Sequence, residues 1–161
     1  MSTSPSSSPA GFKVVAQNRK AHHDFLILEK IEAGLALRGP EVKSIRVGEV
    51  SLAESYARIE NGQVLLFNLH VNPYPCARLE VCDPIRPKPV LLHRKEIRRI
   101  IAQMTQQGHA LIPLRLYLKH GLIKVELALC RGKQAEDKRE TLRRKTAERE
   151  AARAMASRTQ R

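Results

Sequence analysis

The sequence predicts a mainly β fold, a small closed antiparallel barrel with two or three flanking helices and a basic C-terminal tail. This prediction rests on two hairpin patterns, one amphipathic helical segment and a change of composition near residue 130. At roughly 100 to 200 residues per domain, a chain of 161 residues is one domain with extensions. Short antiparallel strands favour a barrel because closing the sheet removes its exposed edges.

Four segments are predicted to be strands: 56–59 and 64–67, which flank a turn dipeptide, and 114–119 and 123–129, in which apolar and polar residues alternate. Asn61-Gly62, the strongest hairpin dipeptide, separates the first two. His120-Gly121 separates the last two, and its glycine can supply the positive φ of a tight turn. The last pair has one aliphatic face. Two hairpins therefore predict an antiparallel sheet.

One segment, 93–107, has a clear helical period, because Ile97, Ile100, Ile101 and Met104 fall on one stripe. Gly108 is expected to end this helix. A shorter helix begins at Pro40, since proline is favoured in a first turn, and Gly48 can take the left-handed conformation that ends it. Segments 72–75 and 83–89 hold five prolines and are predicted to be irregular loops.

Composition divides the chain into a leader (1–11), a body (12–130) and a tail (131–161). The leader is serine and proline, with too few apolar groups to become ordered, and it lacks the pattern of a secretory signal. No run approaches the ~20 apolar residues of a membrane span. Three cysteines without a close pair fit a reducing compartment, so a cytoplasmic location is expected.

The charge balance indicates a polyanionic partner. Lysine and arginine total 29 against 16 acidic residues, a net charge of +13. Such a surface attracts phosphate arrays, which makes nucleic acid the first partner to consider and an anionic membrane the second.

The tail concentrates this charge, with eleven basic and five acidic residues. A helical projection places Lys138, Leu142, Lys145, Arg149 and Arg153 within a sector of about 80°. Because an isolated helix this polar is only marginally stable in water, the tail is predicted to be disordered when free and helical along a phosphate-lined surface. The alternative is a solvated tail with no partner.

No local signature of catalysis, of a metal site or of a phosphate-binding glycine loop occurs, and no cofactor is expected. His22-His23-Asp24 is the densest cluster of titratable residues. Read as a strand, these residues point to opposite faces and cannot readily share one substrate. The chain is therefore predicted not to be an enzyme.

The segment Asn18-Arg19-Lys20-Ala21-His22-His23 is a candidate RNA contact. Imidazole and guanidinium planes can stack on splayed bases, and an amide can read a base edge or a ribose hydroxyl. The alternative is that Asn18 caps a turn and the charges are solvated. Lys95, Arg98 and Arg99, opposite the isoleucine stripe, form either a second RNA contact or a solvated face.

An ordered set of motifs resembles the small protein B (SsrA-binding protein) family of bacterial ribosome rescue. These motifs are Asn18-Arg19-Lys20-Ala21, His23-Asp24-Phe25, Glu32-Ala33-Gly34, Gly39-Pro40-Glu41-Val42-Lys43-Ser44, Cys82-Asp83-Pro84, Arg86-Pro87-Lys88, Leu91-Leu92-His93-Arg94-Lys95-Glu96, Gly132-Lys133 and Asp137-Lys138-Arg139. They run in order from residue 18 to residue 139.

The resemblance implies a barrel of oligonucleotide-binding type that grips the transfer-RNA-like domain of transfer-messenger RNA (tmRNA). The protein would then be a monomer that delivers this RNA to the decoding site of a stalled ribosome, with its tail in the vacant messenger channel. The predicted RNA-binding residues are Asn18, Arg19, Lys20, His22, His23, Glu32, Lys43 and Arg46. The predicted ribosome-binding residues are Lys133, Asp137, Lys138, Arg139, Lys145, Arg149 and Arg153.

Glu32 needs a particular role, because a carboxylate beside RNA is repelled unless it accepts hydrogen bonds. It is expected to anchor a basic neighbour or to contact a base edge. The rival function is a general structured-RNA binder, such as a ribosomal protein or assembly factor. An enzyme acting on RNA comes third.

Overall fold

The computed structural model describes residues 11–77, 82–105, 108–133 and 135–159, and in the last range the side chains of 139–157. The predicted leader, apart from Gly11, lies outside these ranges. The strands within them are β1 (Phe12–Gln17), β2 (Phe25–Leu35), β3 (Val50–Ser51), β4 (Tyr56–Glu60), β5 (Gln63–Phe67), β6 (His70–Val71), β7 (Lys88–Leu91), β8 (His109–Lys119) and β9 (Leu122–Gly132). The helices are α1 (Arg19–Asp24), α2 (Gly39–Arg46), α3 (Arg94–Met104) and α4 (Ala135–Thr159).

Both predicted hairpins are confirmed. Asn61 and Gly62 join β4 to β5 with φ values of 51° and 74°, and His120 and Gly121 join β8 to β9 with 51° and 78°. Positive φ at both central residues is the turn geometry that matches the twist of paired strands. β8 and β9 have eleven residues each, so they are longer than the predicted segments 114–119 and 123–129.

The strand pairings run around a ring, which confirms the mainly β, antiparallel part of the prediction. The order is β8, β4, β5, β7, β2 and β9, and β9 pairs back onto β8. β1 pairs with the second half of β8. The core lies inside this ring, where Leu66, Leu116, Val125 and Leu127 are fully buried. α2 and α3 add Ile45 and Ile100 to it.

The predicted aliphatic face of β8 and β9 is confirmed by Leu116, Val125 and Leu127, which lie in the core, but the opposite face is also buried over part of its length. A second cluster of buried residues, Ala21, Ile112, Leu114, Ala128 and Cys130, lies on the outer face of these strands. A β-bulge between Pro113 and Arg115 shifts the register there. α1 covers this outer face, which explains the burial that the alternation missed. Burial raises the pKa of the Cys130 thiol to about 11.

The predicted helices are confirmed with small changes of boundary. α3 turns Ile97, Ile100 and Met104 towards the core, whereas Ile101, which was expected on the same buried stripe, is exposed. α2 starts one residue before Pro40. The prediction of an irregular loop through 83–89 is wrong at its end, because Lys88 and Pro89 belong to β7. In the described ranges, no helix has the length and apolarity needed to cross a membrane.

Candidate nucleic-acid interface

The predicted RNA-contact segment forms α1, so its interpretation as a strand is wrong. Asn18 caps this helix: its side-chain oxygen accepts from the Ala21 N–H at 3.1 Å, and its Nδ2 donates to the Pro113 carbonyl at 3.4 Å. Since neighbouring residues on a helix are only about 100° apart, His23 and Asp24 can meet, with Nδ1 and Oδ1 at 2.9 Å. The Asn18 amide is thus occupied in positioning α1 rather than free to read a base.

α1 buries one side and exposes its cations. Ala21 packs on the second cluster, whereas Arg19, Lys20, His22 and His23 are exposed. The sequence alternative, that Asn18 caps a turn, is therefore correct for Asn18, while the four neighbouring side chains remain available to a ligand.

Lys133, near the start of the tail, is hydrogen-bonded to the C-terminal end of α1. The Lys133 backbone N–H donates to the Asp24 carbonyl at 3.1 Å, and the Lys133 ammonium donates to the His22 carbonyl at 3.3 Å. Both bonds satisfy carbonyls that the end of a helix leaves open. The structure thus brings Lys133, a predicted tail residue, directly beside the α1 cations.

Glu32 lies on the same outer face, further along β2, and anchors two neighbours. Its carboxylate accepts hydrogen bonds from the hydroxyl of the buried Tyr117 and from the Lys119 ammonium, the latter at 3.1 and 3.2 Å. The Tyr117 hydrogen bond, followed by the Lys119 contact, lowers the pKa of Glu32, while burial and the carboxylate raise that of Tyr117. Glu32 therefore anchors a basic neighbour, Lys119, which is one of the two roles expected for it.

An exposed leucine lies next to this carboxylate. Leu91 of β7 is 57% exposed and pairs with Gly34 of β2. A Cβ on Gly34 would lie 3.3 Å from the Leu91 Cβ, so glycine permits this close approach. His93, Lys124 and Glu32 line the same depression. An apolar side chain ringed by polar and basic groups suits a splayed base.

These features form one continuous outer face of β8, β9 and β2, running from α1 to Leu91. Between its two ends, Glu126 is paired with Arg115 and with Lys30. The face carries the cations Arg19, Lys20, Lys30, Arg115, Lys119 and Lys124 against the carboxylates Asp24, Glu32 and Glu126. It is therefore positively charged overall.

Lys43 and Arg46, which were also predicted to bind RNA, lie apart from α1. Both are on α2; Lys43 stands over the Tyr74 ring at 5.4 Å, and Arg46 donates to the Gly121 carbonyl at 3.3 Å. Leu114 contacts α1, and Gly121 comes seven residues later, so the Gly121 carbonyl lies about 20 Å from the α1 contact. Arg46 thus reaches only the far end of the face, whereas Lys43 contacts Tyr74, which is not part of the face.

The predicted tail residues lie on α4, apart from Lys133 at its root. Arg139, Lys145, Arg149 and Arg153 are exposed, as is every described side chain from 139 to 157 except the half-buried Thr141. Asp137 and Lys138 lie on the helix, but their side chains are outside the described part. Disorder of the tail in the free chain stays a prediction.

Sequence reasoning missed Tyr117, Lys119, Leu91 and Lys124 as members of this face. The alternation of 114–119 did contain a signal, because it placed Arg115, Tyr117 and Lys119 together on the polar side of a strand. It could not show Glu32 between them, since that contact spans 85 residues of sequence.

Comparison with known proteins settles the family. The family model described as SmpB protein matches residues 15–157. The chain belongs to the SmpB family. The SsrA-binding protein of Caldicellulosiruptor saccharolyticus is 52% identical over 136 residues, covering 84% of this chain and 86% of the relative. That of Geobacillus kaustophilus is 49% identical over 146 residues, covering 91% and 94%.

A solved structure agrees with the SmpB assignment. A chain in the structure described as "tmRNA-SmpB: a journey to the center of the bacterial ribosome" is 46% identical to this one, with a TM-score of 0.63. The likeness covers 80% of this chain and 94% of that one. The resemblance drawn from the motifs is thus confirmed, and the matched residues include α1, Glu32 and most of α4.

Proposed function

We propose that the chain binds tmRNA through its outer face and delivers it to stalled ribosomes for trans-translation. The observation that carries this proposal is the positive outer face in a member of the SmpB family, whose relatives are named for binding SsrA. A relative in complex with tmRNA, in a structure concerned with the ribosome, supports the same partners. The protein would act as a cytoplasmic monomer by binding, without catalysis or a cofactor.

The ring of strands would be a closed barrel of oligonucleotide-binding type. Such a barrel holds its strands rigidly and presents one sheet face and its loops to nucleic acid. In this chain, that face would be the outer side of β8, β9 and β2, with α1 laid across one half of it.

Each part of the face would have a separate task. Arg19 and Lys20 would contact phosphates, and the imidazoles of His22 and His23 would stack on or hydrogen-bond to unpaired bases. Asn18 would act indirectly by fixing the start of α1. Arg46 would contact RNA only if it extends to the hairpin turn at Gly121, and Lys43 only if it reaches Tyr74.

The depression beside Glu32 would receive a splayed base. Leu91 would contact its face, and Lys124 would neutralise the adjoining phosphate. Glu32 would hold Tyr117 and Lys119 in place.

α4 would serve the ribosome rather than tmRNA. Its side chains from 142 to 157 are exposed, which leaves Lys145, Arg149 and Arg153 available to ribosomal RNA in the decoding site and messenger channel. Lys133, bonded to His22 and Asp24, would fix the point where the tail leaves the body.

Salt dependence tests the α1 contact. Replacing Arg19 and Lys20 by alanine should weaken binding to a tmRNA transcript and reduce the logarithmic salt slope by about 1.4 to 1.8, since each lost phosphate contact removes about 0.7 to 0.9. Lys13→Ala removes an exposed charge on the side of β1 opposite Phe12 and should leave the slope unchanged. An unchanged slope in the double variant would place the RNA contact elsewhere.

The second candidate function, general binding of structured RNA, would share the basic face. Competition distinguishes the two. A tmRNA-binding protein should prefer a transfer-RNA-like elbow to a hairpin of equal length, whereas a general binder should bind both equally well.

A further inference from the structure

A shallow groove between α3 and β4 has the composition of another binding site. Arg58 and Ile59 of β4 line it on one side, and Ile101, Met104 and Thr105 line it on the other. Ile101 is 41% exposed although it lies next to the buried Ile100. The groove therefore has an apolar floor with an arginine on its rim.

The charged residues of α3 fall on two sides of the helix. Arg99 is paired with Glu29 of β2, and Glu96 accepts a hydrogen bond from the His93 N–H at 2.9 Å. These residues belong to the side that faces β2. Arg99 thus has an ion-pair partner within the protein, and Glu96 caps the start of α3.

The opposite side of α3 continues the groove. At about 100° per residue, Arg94, Arg98, Ile101 and Thr105 lie within about 60° of one another and about 160° from the side of Glu96 and Arg99. Arg94 and Arg98 therefore extend the rim beyond Ile101. This row carries positive charge and no carboxylate.

Within the described ranges, the three rim arginines, Arg58, Arg94 and Arg98, form no ion pair with a carboxylate. All three are exposed. Arg94 and Arg98 are four residues apart on one helix face, where like charges repel each other. An anion bound between them would relieve that repulsion.

We propose that this groove, with Arg58, Arg94 and Arg98 on its rim, binds a single-stranded segment of RNA. The guanidinium groups bind phosphates in the bidentate way that arginine favours, and Ile101 and Met104 support a ribose or a base. An acidic helical peptide fits less well, because a helix docks through several apolar anchors over two turns and this floor is too short for them. The inference rests on the proposed function and adds a second contact on the other side of α3.

The RNA can come from tmRNA or from the ribosome, since both present the same chemistry. Binding is therefore measured with three probes: a full tmRNA transcript, its transfer-RNA-like domain alone, and small ribosomal subunits. Arg98→Gln and Arg99→Gln are a matched pair, because both remove one exposed arginine from adjacent positions of α3 and only Arg99 is paired. Equal melting temperatures of the two variants establish that both are folded.

Arg98→Gln should weaken binding to at least one probe about fivefold near physiological salt and reduce its salt slope by about 0.7 to 0.9. Arg58→Gln should act in the same direction on the same probe, and Arg99→Gln should stay within about twofold of wild type. Equal effects of Arg98→Gln and Arg99→Gln, or no effect of Arg98→Gln on any probe, would overturn the proposal.

The α1 variant, with Arg19 and Lys20 replaced by alanine, is measured in parallel. If it weakens tmRNA binding while Arg98→Gln changes nothing, only the groove proposal fails. If neither variant changes binding, the proposed function fails as well.

Discussion

Replacing Glu32 by alanine should destabilise the protein through Tyr117 more than through Lys119. The Tyr117 side chain is buried, and the Glu32 carboxylate is the acceptor of its hydroxyl. Leaving a buried hydroxyl without an acceptor costs about 1 to 3 kcal/mol. The Lys119 ion pair adds little, because the two side chains are 44% and 42% exposed and such pairs contribute about 0.2 to 1 kcal/mol. The expected loss in free energy of unfolding is about 2 kcal/mol.

Two further variants separate these contributions. Glu32→Gln keeps an acceptor for Tyr117 and removes only the charge, so it should cost about 0.5 kcal/mol. Tyr117→Phe in the Glu32→Ala background removes the unpartnered hydroxyl and should recover about 1 kcal/mol. Urea unfolding of the four proteins in one buffer measures these differences.

A Glu32→Ala variant as stable as wild type, or no recovery of stability on adding Tyr117→Phe, would refute this role of the Glu32–Tyr117 hydrogen bond. Glu32→Gln is expected to remain folded, so its tmRNA affinity reports the functional role of the charge. If Glu32 acts as an anchor, Tyr117→Phe alone should also weaken tmRNA binding. If it contacts a base directly, only the Glu32 variants should do so.

Three other predictions concern stability and the base-binding depression. Glu41→Gln should cost about 3 kcal/mol in urea unfolding, because Glu41 is buried and holds Arg86 through contacts of 2.9 and 2.6 Å; a loss under 1 kcal/mol would contradict this. Burial raises the pKa of Glu41, but hydrogen bonds from Arg86 and the Arg38 N–H outweigh it, and the net pKa is lowered, as it is for Glu32. Both carboxylates therefore stabilise the fold above the usual glutamate pKa of 4.5, and this stabilisation is lost as the pH falls through their lowered pKa values. Acid unfolding of a Glu32→Gln, Glu41→Gln double variant should accordingly depend less on pH. Leu91→Ala should change stability by less than about 0.5 kcal/mol, since Leu91 is largely exposed, yet weaken tmRNA binding severalfold; equal binding by filter assay would exclude a contact there.

Local patterns predicted the parts of the fold that depend on local chemistry. The Asn61-Gly62 and His120-Gly121 turns and the isoleucine stripe of α3 each follow from a few neighbouring residues. Both turns are confirmed, and the stripe is confirmed except at Ile101, which is exposed. α1 was misread because a helix of six residues is too short for a periodic signal.

Long-range pairing was beyond the reach of these patterns. Lys88 lies in a proline-rich stretch that predicted a loop, yet it is buried in β7 with its ammonium donating to the Leu69 and Arg86 carbonyls at 3.0 Å. Burial lowers the pKa of this lysine. For the candidate interface, the α1 cations and Glu32 could be predicted from the sequence and its resemblance. Tyr117 and Lys119 could be assigned to it only once β2, β9 and β8 were paired in register.

The division of labour between body and tail is tested by one variant, the chain ended after Gly132. Its affinity for a tmRNA transcript and its support of peptide tagging on ribosomes stalled at the end of a truncated message are measured together. The truncated chain should bind tmRNA within about fivefold of the full chain, because at most one phosphate contact, that of Lys133, is expected to be lost from the α1 region, and it should support no tagging. Full tagging by the truncated chain, or loss of its binding to tmRNA, would contradict the proposed roles of the outer face and α4.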